Sequence, residues 1–261
     1  MSKSFSNGFT IIETMLFLAV TGALIAAVMV GMGTSIGTQR YQDAVESFKS
    51  LIQTQYSEIS SVKNYRSNDL SCDSSAKPVD GDEYRGQSDC VIVGRYMTVT
   101  GGDISIYTVL ASEKTTSITQ DNDIDDMKSN YNYNVAPDVE QRSLEWSTEI
   151  AWPTKGADAK SSNTARSVGL LFIKSPDSGT VYTFNSSSIT DGAQITSETF
   201  TSMMIADTTT PGMGAQTICI KSNGVVGGDR AVYIAPLASS ASAVETRTNE
   251  LLLSSGGTSQ C

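Results

Sequence analysis

The sequence contains no histidine at all. Imidazole is the most common general base and a frequent zinc ligand, so its absence excludes His-dependent triads and His-containing zinc sites. The four cysteines lack the paired C-x-x-C spacing that would hold zinc alone. Carboxylates and lysines show no catalytic spacing either. We therefore expect a chain that is not an enzyme and that has no cofactor or metal site.

Basic residues are fewer than acidic ones, 18 against 28, so the formal net charge is −10. Broad electrostatic attraction to nucleic acid is disfavoured, although a local basic patch is not excluded. The acids from Asp121 to Asp126 alternate as in a calcium loop. Asp126 stands where the turn glycine belongs, and Asn132 replaces the bidentate glutamate. We favour a solvated acidic loop there and leave calcium as the alternative.

The N-terminal part of the chain is almost free of charge. From Phe9 to Gln39 the only ionisable side chain is Glu13. The run exceeds the roughly 20 residues that cross a bilayer as a helix, and we place the transmembrane part at about residues 11–36. A polar leader, residues 1–8, ends on a small residue that could be a cleavage site before the apolar run. A secretory signal is instead cut after its apolar part, so here the leader could be lost while the apolar segment stays.

A short leader ending in Gly8, then Phe9, then a glutamate on the fifth residue after that glycine resembles the prepilin signature. This signature is typical of type IV pilins and type II secretion pseudopilins. The resemblance implies that prepilin peptidase cleaves between Gly8 and Phe9 and that the new Phe9 amine is methylated. It also implies that Glu13 is the charged residue that pairs subunits during assembly. The expected partners are other pilin or pseudopilin subunits, the peptidase, and membrane lipid before assembly.

An acidic residue at the centre of a membrane helix costs about 2.5–3.5 kcal/mol, and less near its ends. Cleavage would create an amine four residues before Glu13. In a staggered stack of helices, the Phe9 amine of one subunit can meet Glu13 of its neighbour. The alternative is a glutamate that only faces the lipid headgroups.

Beyond the apolar run the pattern becomes amphipathic. Apolar residues recur at three- and four-residue steps, with a single Gln in the same stripe: Tyr41, Ala44, Val45, Phe48, Leu51, Ile52, Gln55, Ile59 and Val62. This spacing predicts one continuous helix over residues 9–63, whose second half packs on a globular head.

Residues 64–261 form the predicted head, which is rich in short strands. Alternating and apolar segments predict strands at residues 90–99, 104–110, 168–173, 180–184, 217–221 and 231–235. Turns at Gly101–Asp103, Ser175–Gly179 and Ser222–Gly224 join them in hairpins. The polar stretch from Thr115 to Arg142 is interpreted as a long surface excursion. The predicted fold class is α+β and pilin-like, with an antiparallel sheet, and the head loosely resembles GspH/FimT minor pseudopilins.

All four cysteines follow the membrane run, where the positive leader would leave the head outside the cytoplasm. An even number of exported cysteines favours disulfides. Of the three possible pairings we favour Cys72–Cys90 and Cys219–Cys261. Reduced thiols, or a bridge to another subunit through Cys261, are the alternatives.

Together these features predict a structural, minor subunit of a type IV pilus or pseudopilus. Such a protein is a single-pass protein of the inner membrane with an extracytoplasmic head, and it reaches the cell surface as a filament. The second class is a membrane-anchored extracytoplasmic binding domain that does not polymerise.

Overall fold

The structure is a computed structural model that describes residues 10–61, 70–81, 90–151, 167–187, 189–190, 192–209, 211–222 and 230–248. These residues form three α-helices and eleven strands, so the predicted α+β class is confirmed. The helices are α1 (Ile11–Ser60), α2 (Asp123–Asn130) and α3 (Ser197–Met203). The strands are β1 (Leu70–Cys72), β2 (Pro78–Asp80), β3 (Cys90–Thr100), β4 (Asp103–Glu113), β5 (Tyr131–Ser143), β6 (Thr148–Ala151), β7 (Ser167–Lys174), β8 (Val181–Ser186), β9 (Gln216–Ser222), β10 (Arg230–Ile234) and β11 (Val244–Thr248).

Helix α1 is continuous over 50 residues, or about 75 Å at 1.5 Å per residue. Thr10 caps its start, and no proline occurs between Thr10 and Ser61. The glycines of the apolar half do not interrupt it. The predicted continuous helix is therefore confirmed, and it ends at Ser60, three residues before the predicted end at Lys63, which lies outside the described residues.

The second half of α1 packs on the head as the amphipathic stripe predicted. Tyr41, Val45, Phe48 and Ile52 are all at most 3% exposed. They pack with side chains from both larger sheets in one hydrophobic cluster. Tyr56, which was not assigned to the stripe, is equally buried and belongs to the same cluster.

The larger sheet has five antiparallel strands in the order β5-β4-β3-β7-β8. Successive residues of a strand face opposite sides, so Met97 packs toward α1 while its neighbour Tyr96 packs toward α2 and α3. Because both faces of the sheet are covered, β3, β4 and β7 carry buried apolar residues on both sides, which made their sequences recognisable.

A second antiparallel sheet has four strands in the order β11-β10-β9-β6. The predicted neighbours β9 and β10 pair as expected, and Ile218 and Val232 join the cluster under α1. A small pair, β1 with β2, completes the described sheets.

The interpretation of residues Thr115 to Arg142 as a surface excursion was wrong. This segment contains α2 and nearly all of β5, a 13-residue edge strand paired with β4. The strand was not recognised because only its first part alternates, between buried and half-buried residues, and its second part is mostly exposed. The pairing register of β5 with β4 shifts around Pro137. Proline has no backbone N–H to donate, so it is tolerated at an irregularity of an edge strand.

Candidate functional site

The predicted assembly residue, Glu13, lies in the first turn of α1, and its backbone N–H donates to Thr10 Oγ1 at 3.3 Å. Within the described residues the Glu13 carboxylate has neither a hydrogen bond nor an ion pair. The predicted cleavage and methylation residues, Gly8 and Phe9, lie outside the described residues. The site is therefore an acid at the helix start whose partner is not supplied by the described part of its own chain.

The first half of α1 carries exposed apolar side chains on all sides. Those nearest Glu13 are at least 64% exposed: Ile11, Ile12, Met15, Leu16, Phe17 and Leu18. No part of the most apolar stretch is buried by the head. This one N-terminal helix is long and apolar enough to cross a membrane, as predicted.

The hydroxyl groups of Thr14 and Thr21 are hydrogen-bonded by the helix itself. Thr14 Oγ1 donates to Ile11 O at 2.9 Å, and Thr21 Oγ1 donates to Phe17 O at 2.8 Å. Polar groups in hydrocarbon are costly unless they are hydrogen-bonded. Glu13 differs from these two threonines, because its carboxylate has no hydrogen bond or ion pair within the described residues.

The second half of α1 is fixed to the head by buried polar contacts as well as apolar packing. Tyr41 OH donates to Ile220 O at 2.6 Å and accepts from Arg230 N at 3.0 Å, which joins α1 to β9 and β10. Tyr56 OH lies 2.8 Å from Thr183 Oγ1 on β8, and burial raises the pKa of Tyr56 to about 12. The helix and the head are therefore bonded at two levels, about 22 Å apart along α1.

The disulfide prediction is confirmed where the structure describes it. Cys72 and Cys90 are bonded, which ties β1 to the start of β3. Cys219 is also in a disulfide, and its predicted partner, Cys261, lies outside the described residues. The cysteines of the described part of the chain are therefore oxidised.

The acidic segment near residue 123 is a helix rather than the solvated loop that we expected. Asp123 accepts hydrogen bonds from Ser175 Oγ at 2.5 Å, Ser178 Oγ at 2.6 Å and Tyr182 OH at 2.8 Å. Partial burial raises the pKa of Asp123, but these three donors lower it more, and the net pKa is below its usual value. The carboxylate fastens α2 to the β7–β8 hairpin.

No local pattern in the sequence indicates this Asp123 cluster. Its donors lie more than fifty residues away from it along the chain, and the turn that carries two of them was predicted only as a hairpin turn. Among the described residues no group of three or more histidine, cysteine, aspartate or glutamate side chains is placed to hold a metal ion.

Comparison with known proteins adds no functional assignment. No protein-family model, curated protein or solved structure matches this chain. The function is therefore inferred from the residues and their geometry.

Proposed function

We propose that this protein is a structural subunit of a type IV pilus or pseudopilus. Prepilin peptidase would cut between Gly8 and Phe9, the membrane would hold the trimmed subunit by α1, and the same helix would then enter a filament. One observation carries the proposal: the exposed apolar half of α1 contains a single acid, Glu13, at its start and without a partner in the described chain.

The apolar half of α1 needs a non-aqueous environment. Each large aliphatic side chain gains about 1.5–3 kcal/mol when it is kept from water. Lipid supplies that environment to a single subunit. Sister helices supply it in a filament, so a subunit can leave the bilayer without exposing this surface.

Glu13 explains why such helices would assemble in a defined register. The Phe9 amine would be a new positive charge at the helix start, and pairing with Glu13 of a neighbour removes an uncompensated acid from an apolar core. An unpaired charge in such an environment is costly, and an opposite charge at close range offsets much of that cost. The stagger between subunits would follow from that contact.

The head fits a subunit that faces the outside of the cell. Its oxidised cysteines are typical of exported proteins. Helix α1 covers one face of the five-stranded sheet, and α2 and α3 cover the other face. This elaboration favours a minor or tip subunit over an abundant shaft subunit, and an immunoblot in which it dominates sheared filaments would contradict that assignment.

Substitution of Glu13 tests the assembly role. We expect Glu13→Gln to reach the membrane and to be trimmed, but to be depleted from sheared filaments about tenfold if the pair is worth about 1.4 kcal/mol. Asp43→Asn is the matched control, because Asp43 is an exposed acid on the same helix beyond the apolar half. Normal incorporation of Glu13→Gln would contradict the proposal. An untrimmed native chain absent from filaments would favour the membrane-anchored binding domain.

A further inference from the structure

A large aromatic side chain stands exposed where α1 leaves its apolar half. Trp146 is 54% exposed, and the guanidinium carbon of Arg40 lies 4.6 Å from the centre of its ring. Arg40 is the first charged residue of α1 after Glu13. A guanidinium at this distance from an indole is attracted to the ring face. The two side chains form one amphipathic unit, which we call the Arg40–Trp146 pair.

The loop that carries Trp146 is held in an unusual conformation. Trp146 and Ser147 have φ values of 56° and 55°, in the left-handed region that bulky residues rarely adopt. Both flanks are fixed, because the backbone N–H groups of Leu144 and Ile150 donate to carbonyls of the β3–β4 turn. A strained loop that presents an indole to solvent, instead of burying it, indicates a role for the exposed ring.

The position of Arg40 along α1 matches the thickness of a bilayer. No charged residue lies between Glu13 and Arg40, and a rise of 1.5 Å per residue separates them by about 40 Å. A bilayer is about 40–45 Å thick with its headgroups. The head begins to cover α1 at Gly37 and Thr38, which are half-buried, so no bare helix separates the head from the lipid surface.

We propose that the Arg40–Trp146 pair lies in the phospholipid headgroup layer on the head side of the membrane and fixes the depth of the stored subunit. Indole rings favour this layer, where an apolar body and a polar edge are both accommodated. The Arg40 guanidinium can bond a lipid phosphate while its stem stays in apolar surroundings. This inference rests on the membrane stage of the proposed function.

Depth-dependent fluorescence quenching tests the proposal on the full chain. Trp152→Phe removes the only other tryptophan, and the variant is reconstituted in vesicles of phosphatidylethanolamine and phosphatidylglycerol. We expect phosphatidylcholine spin-labelled at acyl carbon 5 to quench Trp146 more than the same lipid labelled at carbon 12. We also expect aqueous iodide to quench it weakly. If Trp152→Phe does not fold, the difference between the native chain and Trp146→Phe isolates the same signal.

Two further variants, built on Trp146→Phe/Trp152→Phe, provide the controls. Ile118→Trp reports on a 59% exposed site beyond the far end of β4, about 35 Å from the β3–β4 turn, and should respond to iodide only. Leu24→Trp lies in the middle of the apolar half and should be quenched most by the carbon-12 label.

The outcomes separate the two proposals. Strong iodide quenching of Trp146 without lipid quenching, while Leu24→Trp is deeply quenched, overturns the headgroup contact alone. Protection of Trp146 from both quenchers also overturns it, because protein then covers the ring. If Leu24→Trp is not quenched by lipid, the membrane stage of the proposed function fails as well.

Discussion

Removal of one hydroxyl, in Tyr41→Phe, should lower the free energy of unfolding by weakening the contact between α1 and the head. The phenol is only 3% exposed and bonds two backbone groups, Ile220 O and Arg230 N. A net hydrogen bond is worth about 0.5–1.5 kcal/mol, and a buried group left without a partner costs more. Two such bonds give a loss of about 2 kcal/mol, or about 4–8 °C in Tm for a head of this size.

Thermal unfolding of the full chain in detergent micelles, followed by near-ultraviolet circular dichroism, measures this loss. Tyr233→Phe is the matched control, since Tyr233 lies on β10 and its hydroxyl makes no hydrogen bond to any described residue. The control should change the free energy of unfolding by less than about 0.5 kcal/mol. If Tyr41→Phe behaves like the control, the hydroxyl does not join the helix to the sheet.

Three further predictions concern the head, and unfolding of the full chain in detergent micelles checks each. Gly94→Ala should cost about 3 kcal/mol, because its Cβ would lie 2.2 Å from Phe172 O, a backbone atom of the neighbouring strand; a loss below about 0.5 kcal/mol would contradict this. Asp123→Asn should lower the Tm most above about pH 4, because the pKa of Asp123 is lower in the folded chain than in the unfolded chain. The ionised carboxylate therefore stabilises the fold at higher pH, and this contribution is lost as the pH falls through the pKa of the folded state. A pH-independent difference between variant and native chain would refute that linkage. Removing the Cys72–Cys90 bond by paired serine substitutions should cost about 3 kcal/mol, because the bond closes a loop with a sequence separation of 18; equal stability of native and substituted chains would argue against it.

The elements that sequence reasoning found are those whose burial leaves a clear pattern. Helix α1 combines an uncharged run with a helical stripe, and β3, β4 and β7 carry apolar residues on both sides because both faces of their sheet are covered. Helix α2 and strand β5 were missed for the opposite reason. Helix α2 is short and acidic, and the second part of β5 is an exposed edge whose polar residues look like a loop.

The candidate site was also only partly predictable. Glu13 is conspicuous because its charge is isolated in an apolar segment. The Asp123 cluster and the Arg40–Trp146 pair depend on residues that are far apart in the chain, so no local spacing signals them. The hydroxyl contacts that fix α1 were not predicted, because Tyr41 belongs to a stripe whose spacing indicates only core packing and Tyr56 was not assigned to that stripe.

N-terminal mass spectrometry of the protein from the cell that makes it tests the central proposal most directly. The account predicts a chain that starts at Phe9, whose amine is methylated, with residues 1–8 removed. A mature chain that keeps residues 1–8 would contradict it, because no new amine would then face Glu13. A chain cut beyond the apolar half of α1 would also contradict it, because Glu13 itself would be removed.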